Sequence, residues 1–282
     1  MLWKGVHTAL VTPFADGEID LVCWESTIAR QLRGGVHGLV VAGTTGESPT
    51  LDDNERDELL AEALAVANHR VPVTMGVGTN STRSTVRYCE RALELGADAG
   101  LLVLPYYNKP NQVGLLAHVR HAANAGLPLV VYHVPGRTAQ RLNPADLAEL
   151  CAVEGVVAVK EATGDILYGQ DFLARSPCPV LSGDDFTWMP LLSVGSKGVV
   201  SVLSNVAPRQ TAAVYDAWMR GDVATAARLH AALWPVVQFL FAEVNPVPVK
   251  AMMSDMGLCR NELRLPLAPG ILPNESLIRD LA

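Results

Sequence analysis

Cysteine is scarce in this chain of 282 residues and is not spaced for pairing. Cys23, Cys89, Cys151, Cys178 and Cys259 show no CxxC spacing, and an odd count of five argues against a disulfide framework. They read as core thiols of a reducing compartment. Long apolar runs are also missing. No stretch reaches the roughly 18 apolar residues of a membrane span, although 49% of the chain is hydrophobic. No secretory leader is expected, because Trp3, Lys4 and His7 interrupt the start. Runs of Lys or Arg are absent and the net charge is −7, which excludes a nucleic-acid or anionic-membrane surface. Low-complexity segments and charged linkers are absent as well.

Several catalytic motifs are missing too. No GxGxxG follows the first strand-like run, which weakens a doubly wound dinucleotide fold. No GKS/T lysine follows a glycine-rich loop, so a phosphate cradle is not indicated. The seven histidines are dispersed, without HxH or HExxH, and Asp184-Asp185 are adjacent rather than at ligand spacing. No metal centre is therefore expected. No GxSxG elbow presents a nucleophilic serine.

What is present is a repeated alternation. Eight short apolar runs occupy residues 8–11, 38–41, 71–75, 100–104, 128–132, 156–160, 179–181 and 198–202. Apolar runs without alternation read as parallel strands buried on both faces. Amphipathic helical patterns lie between them at 54–67, 84–95, 113–125, 144–151 and 166–173. Strand–helix alternation builds βαβ units, and eight of them predict an α/β fold, a (β/α)8 TIM barrel. Helical patterns continue at 209–220, 223–242 and 248–256, followed by a proline-rich tail at Pro266, Pro269 and Pro273. The expected organisation is a barrel over 1–220 with a C-terminal helical region over 221–282.

One residue stands out in this frame. Lys160 ends the apolar run Val156-Val157-Ala158-Val159 and is followed at once by the polar turn Glu161-Ala162-Thr163-Gly164-Asp165. Burial disfavours an ammonium, and a free amine is the form that attacks a ketone to make a Schiff base. Lysine is not surface filler here: Lys4, Lys109, Lys160, Lys197 and Lys250 are the five lysines among 22 basic residues. The plainer alternative is a lysine that snorkels from a strand end into solvent.

In such a barrel the active site lies on the loops at the carboxyl ends of the strands. Those ends carry 43–48, 105–108, 132–138, 160–161 and 182–185, and three of the chain's six tyrosines, Tyr106, Tyr107 and Tyr132, fall there. The Gly43-Thr44-Thr45-Gly46 loop can turn backbone N–H groups and two hydroxyls toward a small carboxylate, or can be an ordinary glycine-bounded turn. Tyr132 and Thr44 are candidates for proton transfer; Tyr132 can equally be a core aromatic. Arg137, after the turn signal Pro135-Gly136, can grip a carboxylate or remain a solvated charge. His133, next to Tyr132, is expected on the opposite strand face, toward the helices, as a hydrogen-bonded packing residue.

At these residues the chain resembles the dihydrodipicolinate synthases, within the pyruvate-dependent class I aldolase superfamily that also holds the N-acetylneuraminate lyases. The likeness runs nearly end to end, through 11–14, 43–48, 105–108, 132–138, 160–164, 182–185, 198–202 and 245–250. Lys160 and the 43–48 loop carry the superfamily. Thr44-Thr45, Tyr107 and Val134-Pro135-Gly136-Arg137-Thr138 carry the synthases, since neuraminate lyases usually have Ser-Thr in the first loop and lack that arginine. The resemblance implies a lyase that condenses pyruvate with L-aspartate 4-semialdehyde in lysine (diaminopimelate) biosynthesis. It implies Lys160 as the Schiff-base residue, Tyr132 as proton shuttle, and Thr44 as relay between Tyr132 and a Tyr107 supplied by the neighbouring subunit. Thr45, Arg137, Gly183 and Val200 are the implied substrate-binding residues, with Thr45 on the pyruvate carboxylate and Arg137 on that of the semialdehyde. It further implies no metal or organic cofactor, a cytoplasmic location and a homo-oligomer, by analogy a dimer of dimers.

Two departures stand against the family pattern. His133 replaces the usual asparagine. Feedback-inhibited members hold lysine with a glutamate and histidines; here Ser84 stands for the glutamate, and Asp53 and Arg56 for the histidines, while Asn80 and Tyr106 remain. Feedback by lysine is therefore expected to be weak. Two other functions compete. A sugar-acid lyase of the superfamily would share Lys160 and Tyr132, but Arg137 favours the synthase. A silent metabolite-binding barrel would have lost Lys160, Tyr132 or Thr44, and all three are present.

Overall fold

A computed structural model of the chain describes residues 3–274 and 277. Within the expected 221–282 region, residues 275, 276 and 278–282 lie outside the described residues. Eight parallel strands close a barrel: β1 (Gly5–Ala9), β2 (Gly38–Val41), β3 (Val73–Gly76), β4 (Ala99–Val103), β5 (Leu129–His133), β6 (Val156–Glu161), β7 (Val180–Ser182) and β8 (Gly198–Ser201). Their order is β1-β8-β7-β6-β5-β4-β3-β2. This is the expected TIM barrel. Strands such as β1, β2 and β5 are buried at every position, as parallel strands covered on both faces must be.

β1 begins earlier than the expected 8–11 and stops at Ala9. Its ladder starts from the amino end, with His7 opposite Gly38, while Leu10 and Val11 are buried beyond the strand. Hydrophobicity marks what is buried and not where the ladder stops.

One compact unit is Val73–Val200 together with Trp3 and Lys4. It holds β3 to β7, most of β8, and the helices α3 (Thr82–Leu95), α4 (Gln112–Ala123), α5 (Pro144–Cys151), α6 (Ile166–Leu173) and α7 (Trp188–Ser193). Asp165 caps α6 by accepting from the Leu167 and Tyr168 backbone N–H groups, which sets Tyr168 in the first turn.

The other unit is Gly5–Pro72 with the described residues from Ser201 onward. It holds β1, β2, α1 (Leu21–Gly34), α2 (Asp53–Ala67), α8 (Pro208–Met219), α9 (Val223–Leu240) and α10 (Val247–Asp255). A two-residue antiparallel ladder, Phe14–Ala15 on Glu18–Ile19, follows β1. The sequence pattern did not indicate α1, which is bounded by an Asp20 cap and by Gly35 at φ +79°. Asp52 and Glu55 form a capping box that starts α2.

Candidate active site

Lys160 lies one residue before the end of β6 and is 6% exposed. Its register partner on β5 is Tyr132, itself 5% exposed. The Lys160 Nζ sits 4.0 Å from the centre of the Tyr132 ring. The lysine is therefore buried against an aromatic face and does not snorkel to solvent.

Gly183, on the loop after β7, closes on this pair. Its N–H donates to Glu161 O at 2.6 Å. A Cβ at this position would stand 3.0 Å from Lys160 Cε and 2.5 Å from Ala162 Cβ. Only glycine lets the backbone come this near the amine. The next residue, Asp184, is pinned by its backbone: its N–H donates to Ser182 Oγ at 3.2 Å, and its carbonyl accepts from that hydroxyl at 3.0 Å. Burial pushes the Asp184 carboxyl up to about 7 against the opposing pull of Lys160 and Arg137, with Glu161 and Asp185 adding repulsion. Asp184 is thus a carboxyl that titrates near neutrality beside the amine. The 182–185 loop is among the strand ends expected to form the site, but sequence pattern assigns Asp184 no role there.

Arg137 lies in the helical turn Pro135–Thr138, one residue before its end, and is exposed. Thr138 holds that turn by donating from its hydroxyl to Val134 O at 3.2 Å. Val200 is buried in β8, whose register sets Gly198 beside Leu181 and Val199 beside Ser182. Tyr107 differs from the rest: it is 89% exposed, at φ +73°. A β-carbon at that φ is strained, and strained residues persist where surroundings or function demand them.

The opposite face of the same strands behaves differently. His133 and Glu161 alternate away from Tyr132 and Lys160 toward α6. The His133 ring meets the Tyr168 ring at 5.8 Å, and Glu161 Oε2 lies 3.4 Å from where a Gly169 Cβ would stand. The helix-facing orientation expected for His133 is observed. The expected hydrogen bonds are not, because neither ring nitrogen has a partner among the described residues. Tyr168 offers a ring face there, and its own buried hydroxyl is also unpartnered. Burial, reinforced by Arg141, pushes the His133 imidazole down to about 4. Burial pushes the Glu161 carboxyl up, partly countered by its hydrogen bonds from Thr163.

Thr44 and Thr45 stand on the loop after β2, in the other compact unit. Thr45 is buried and Thr44 half-buried. The loop is tight: Ala42 and Glu47 take φ +48° and +55°, and a Cβ on Gly46 would lie 3.2 Å from Leu10 O. Asn245 Nδ2 donates to Thr45 Oγ1 at 2.8 Å, and Lys250 Nζ is ion-paired with Glu47 at 2.5 Å. Asn245, Glu47 and Lys250 were not among the expected site residues.

The sequence matches the dihydrodipicolinate synthetase family over residues 2–275. This chain belongs to that family. A 4-hydroxy-tetrahydrodipicolinate synthase of Thermodesulfovibrio yellowstonii is 43% identical over 94% of this chain and 92% of its own length. The dihydrodipicolinate synthase structure from Thermotoga maritima superposes with a TM-score of 0.94 at 40% identity, covering 100% of this chain and 97% of that one. The chloride-inhibited enzyme of Acinetobacter baumannii, complexed with pyruvate, gives 0.92 at 38% identity, with 99% and 96% covered. Among the described residues, no group of three His, Cys, Asp or Glu is placed to hold a metal ion, and no helix is long and apolar enough to cross a membrane.

Proposed function

We propose that this chain condenses pyruvate with L-aspartate 4-semialdehyde through a Schiff base on Lys160 and releases 4-hydroxy-tetrahydrodipicolinate. The observation that carries the reading is a buried lysine at a strand's carboxyl end, set against Tyr132 at 4.0 Å. The amine lone pair adds to the pyruvate ketone, the carbinolamine loses water, and an imine forms. The iminium withdraws electrons from the methyl carbon, which loses a proton and becomes an enamine. The enamine carbon then adds to the aldehyde. The substrate's own amino group attacks the imine carbon, closes the ring and expels Lys160 as a free amine.

Tyr132 carries protons for imine formation and for the enamine step. Thr44 relays them between Tyr132 and Tyr107. Thr45, with nearby backbone N–H groups, binds the pyruvate carboxylate, and Gly183 and Val200 shape the pocket. Arg137 grips the carboxylate of the semialdehyde. Tyr107 serves the neighbouring subunit; its exposure and strained φ fit a residue that works outside its own chain. The protein accordingly acts as a homo-oligomer, a dimer of dimers, in the cytoplasm. The barrel at 1–220 supplies the chemistry, and 221–282 is a C-terminal helical region.

The test is reduction with borohydride in the presence of pyruvate, followed by peptide mass mapping. The adduct is expected on Lys160 alone. An adduct on Lys109 or Lys197, or none, refutes the Schiff-base assignment. Parallel assays with N-acetylneuraminate and 2-keto-3-deoxygluconate separate the synthase from a sugar-acid lyase.

A further inference from the structure

The segment from Asn245 to Arg264 returns to the 43–48 loop at three points. Asn245 Nδ2 donates to Thr45 Oγ1 at 2.8 Å. Lys250 Nζ donates to Glu47 Oε1 at 2.5 Å and to Glu262 O at 2.7 Å. The Arg264 backbone N–H donates to Glu47 Oε2 at 3.0 Å. The Lys250 and Glu47 side chains are 0% and 1% exposed. Burying an ion pair this completely is costly, and removing either partner strands the other charge. The pair is placed where it fixes a residue in the left-handed region, Glu47, two positions after Thr45. The loop's own bonds tighten it further. Gly46 N–H donates to Gly43 O and Glu47 N–H to Thr44 O, both at 3.1 Å, while Thr12 Oγ1 donates to Gly46 O at 2.8 Å.

Thr45 is therefore fixed in place, and its hydroxyl is also given a direction. A hydroxyl has one proton and two lone pairs. The Asn245 amide N–H occupies a lone pair, so the Thr45 proton must go to a different acceptor. A carboxylate is an acceptor-only group. We propose that Asn245 is a positioning residue that makes Thr45 a hydrogen-bond donor to the carboxylate of the pyruvate, with the Glu47–Lys250 pair holding the loop in register. This rests on the proposed pyruvate chemistry at Lys160. The Asn245 carboxamide sets the polarity of the binding site without touching the reacting atoms.

The experiment measures the pyruvate concentration that gives half-maximal borohydride-trapped adduct, together with steady-state kinetics, for wild type, Asn245→Ala, Asn245→Asp, Thr45→Val and Asn245→Ala/Thr45→Val. Losing a directed hydrogen bond to a charged group lowers affinity about tenfold. Asn245→Ala should raise both half-saturation and the KM for pyruvate about tenfold, with kcat and the semialdehyde KM little changed. Asn245→Asp has nearly the same shape, but its carboxylate accepts the Thr45 proton and reverses the polarity. It should therefore weaken pyruvate more than alanine does. In the Thr45→Val background, Asn245→Ala should add nothing. Three results overturn the inference: unchanged pyruvate half-saturation in both Asn245 variants, a full additive penalty in the Thr45→Val background, or equal losses for both substrates. If Asn245→Ala does not fold, the near-isosteric aspartate variant alone decides. If wild type itself forms no adduct, the proposed function fails, and that outcome is distinct from these three.

Discussion

Lowering the pH from 7 to 5 should cost stability at the His133 imidazole, and His133→Asn should remove that part of the loss. His133 is 0% exposed, both ring nitrogens lack partners among the described residues, and burial holds its pKa at about 4. In the unfolded chain the imidazole titrates near ~6.5. As the pH falls, the unfolded state takes up the proton first, so stability present above ~6.5 is lost progressively toward ~4. The two pKa values give a loss of about 2 kcal/mol between pH 7 and 5, and about 3 kcal/mol by pH 4. Glu161 works in the opposite direction: its carboxyl is pushed up, so the folded form binds a proton more readily and gains stability as pH falls. A wild-type pH curve therefore mixes two signs, and only the comparison with His133→Asn isolates the imidazole. Urea unfolding of both proteins at pH 7 and 5, at one protein concentration, provides the measurement. The stability difference between them should shift by about 2 kcal/mol in favour of the variant at pH 5. If the pH step costs both proteins equally, His133 is not the buried, unpartnered base described here.

Tyr132→Phe and Thr44→Val should each lower kcat by about 10²-fold or more while the fold survives, as expected for lost proton-transfer groups; near-normal kcat in both removes the relay. Arg137→Ala should raise the KM for the semialdehyde and leave pyruvate adduct formation intact, and equal loss for both substrates argues against a carboxylate clamp. Mixing inactive Tyr107→Phe and Lys160→Ala proteins under verified subunit exchange should restore some activity; no recovery places Tyr107 in its own subunit's site. L-Lysine should inhibit weakly at millimolar concentration, because Ser84 supplies no anion for its amine and a lost charged hydrogen bond costs about 1.5–3 kcal/mol. A submillimolar inhibition constant refutes this. Asp184→Asn should gain stability relative to wild type as pH rises from 5 to 8, because ionising a carboxyl raised to about 7 is unfavourable only in the folded state; thermal melts across that range should show the widening gap.

The barrel was legible because parallel strands are apolar on both faces, and eight such runs fall in order. α1 was not, and its buried face shows why. Trp24, Thr27, Ile28 and Gln31 keep helical spacing, but two of the four are polar. Gln31 is buried because its Oε1 accepts from the Thr8 hydroxyl at 2.9 Å, and a hydrophobic pattern does not register such a bond. α7 has only six residues, too short for a periodic signal. At the site, strand alternation was enough to turn Tyr132 and Lys160 one way and His133 the other. It could not reveal that the His133 ring meets the Tyr168 ring, because that depends on how Tyr168 sits on α6. The Asn245–Thr45 contact joins residues 200 positions apart, and no local pattern links them.

Lys160 and Lys250 show what sequence reading could and could not separate. Both are buried, and the scarcity of lysine singles out each of them equally. Lys250 sits in α10, ion-paired with Glu47 and donating to the Glu262 carbonyl. Burial pushes its pKa down, and the Glu47 carboxylate pulls it back up. Attack on a ketone would require it to abandon a proton that both partners hold, so Lys250 is committed to structure. Lys160 meets the Tyr132 ring and the bare backbone of Gly183. Asp184, the carboxyl that feels its charge, is raised to about 7 and so is a weak anion near neutrality. Lys160 has an aromatic ring and a bare backbone where Lys250 has the Glu47 side chain at 2.5 Å. The proposed nucleophile is thus marked by burial against an aromatic ring, one residue before the end of its strand.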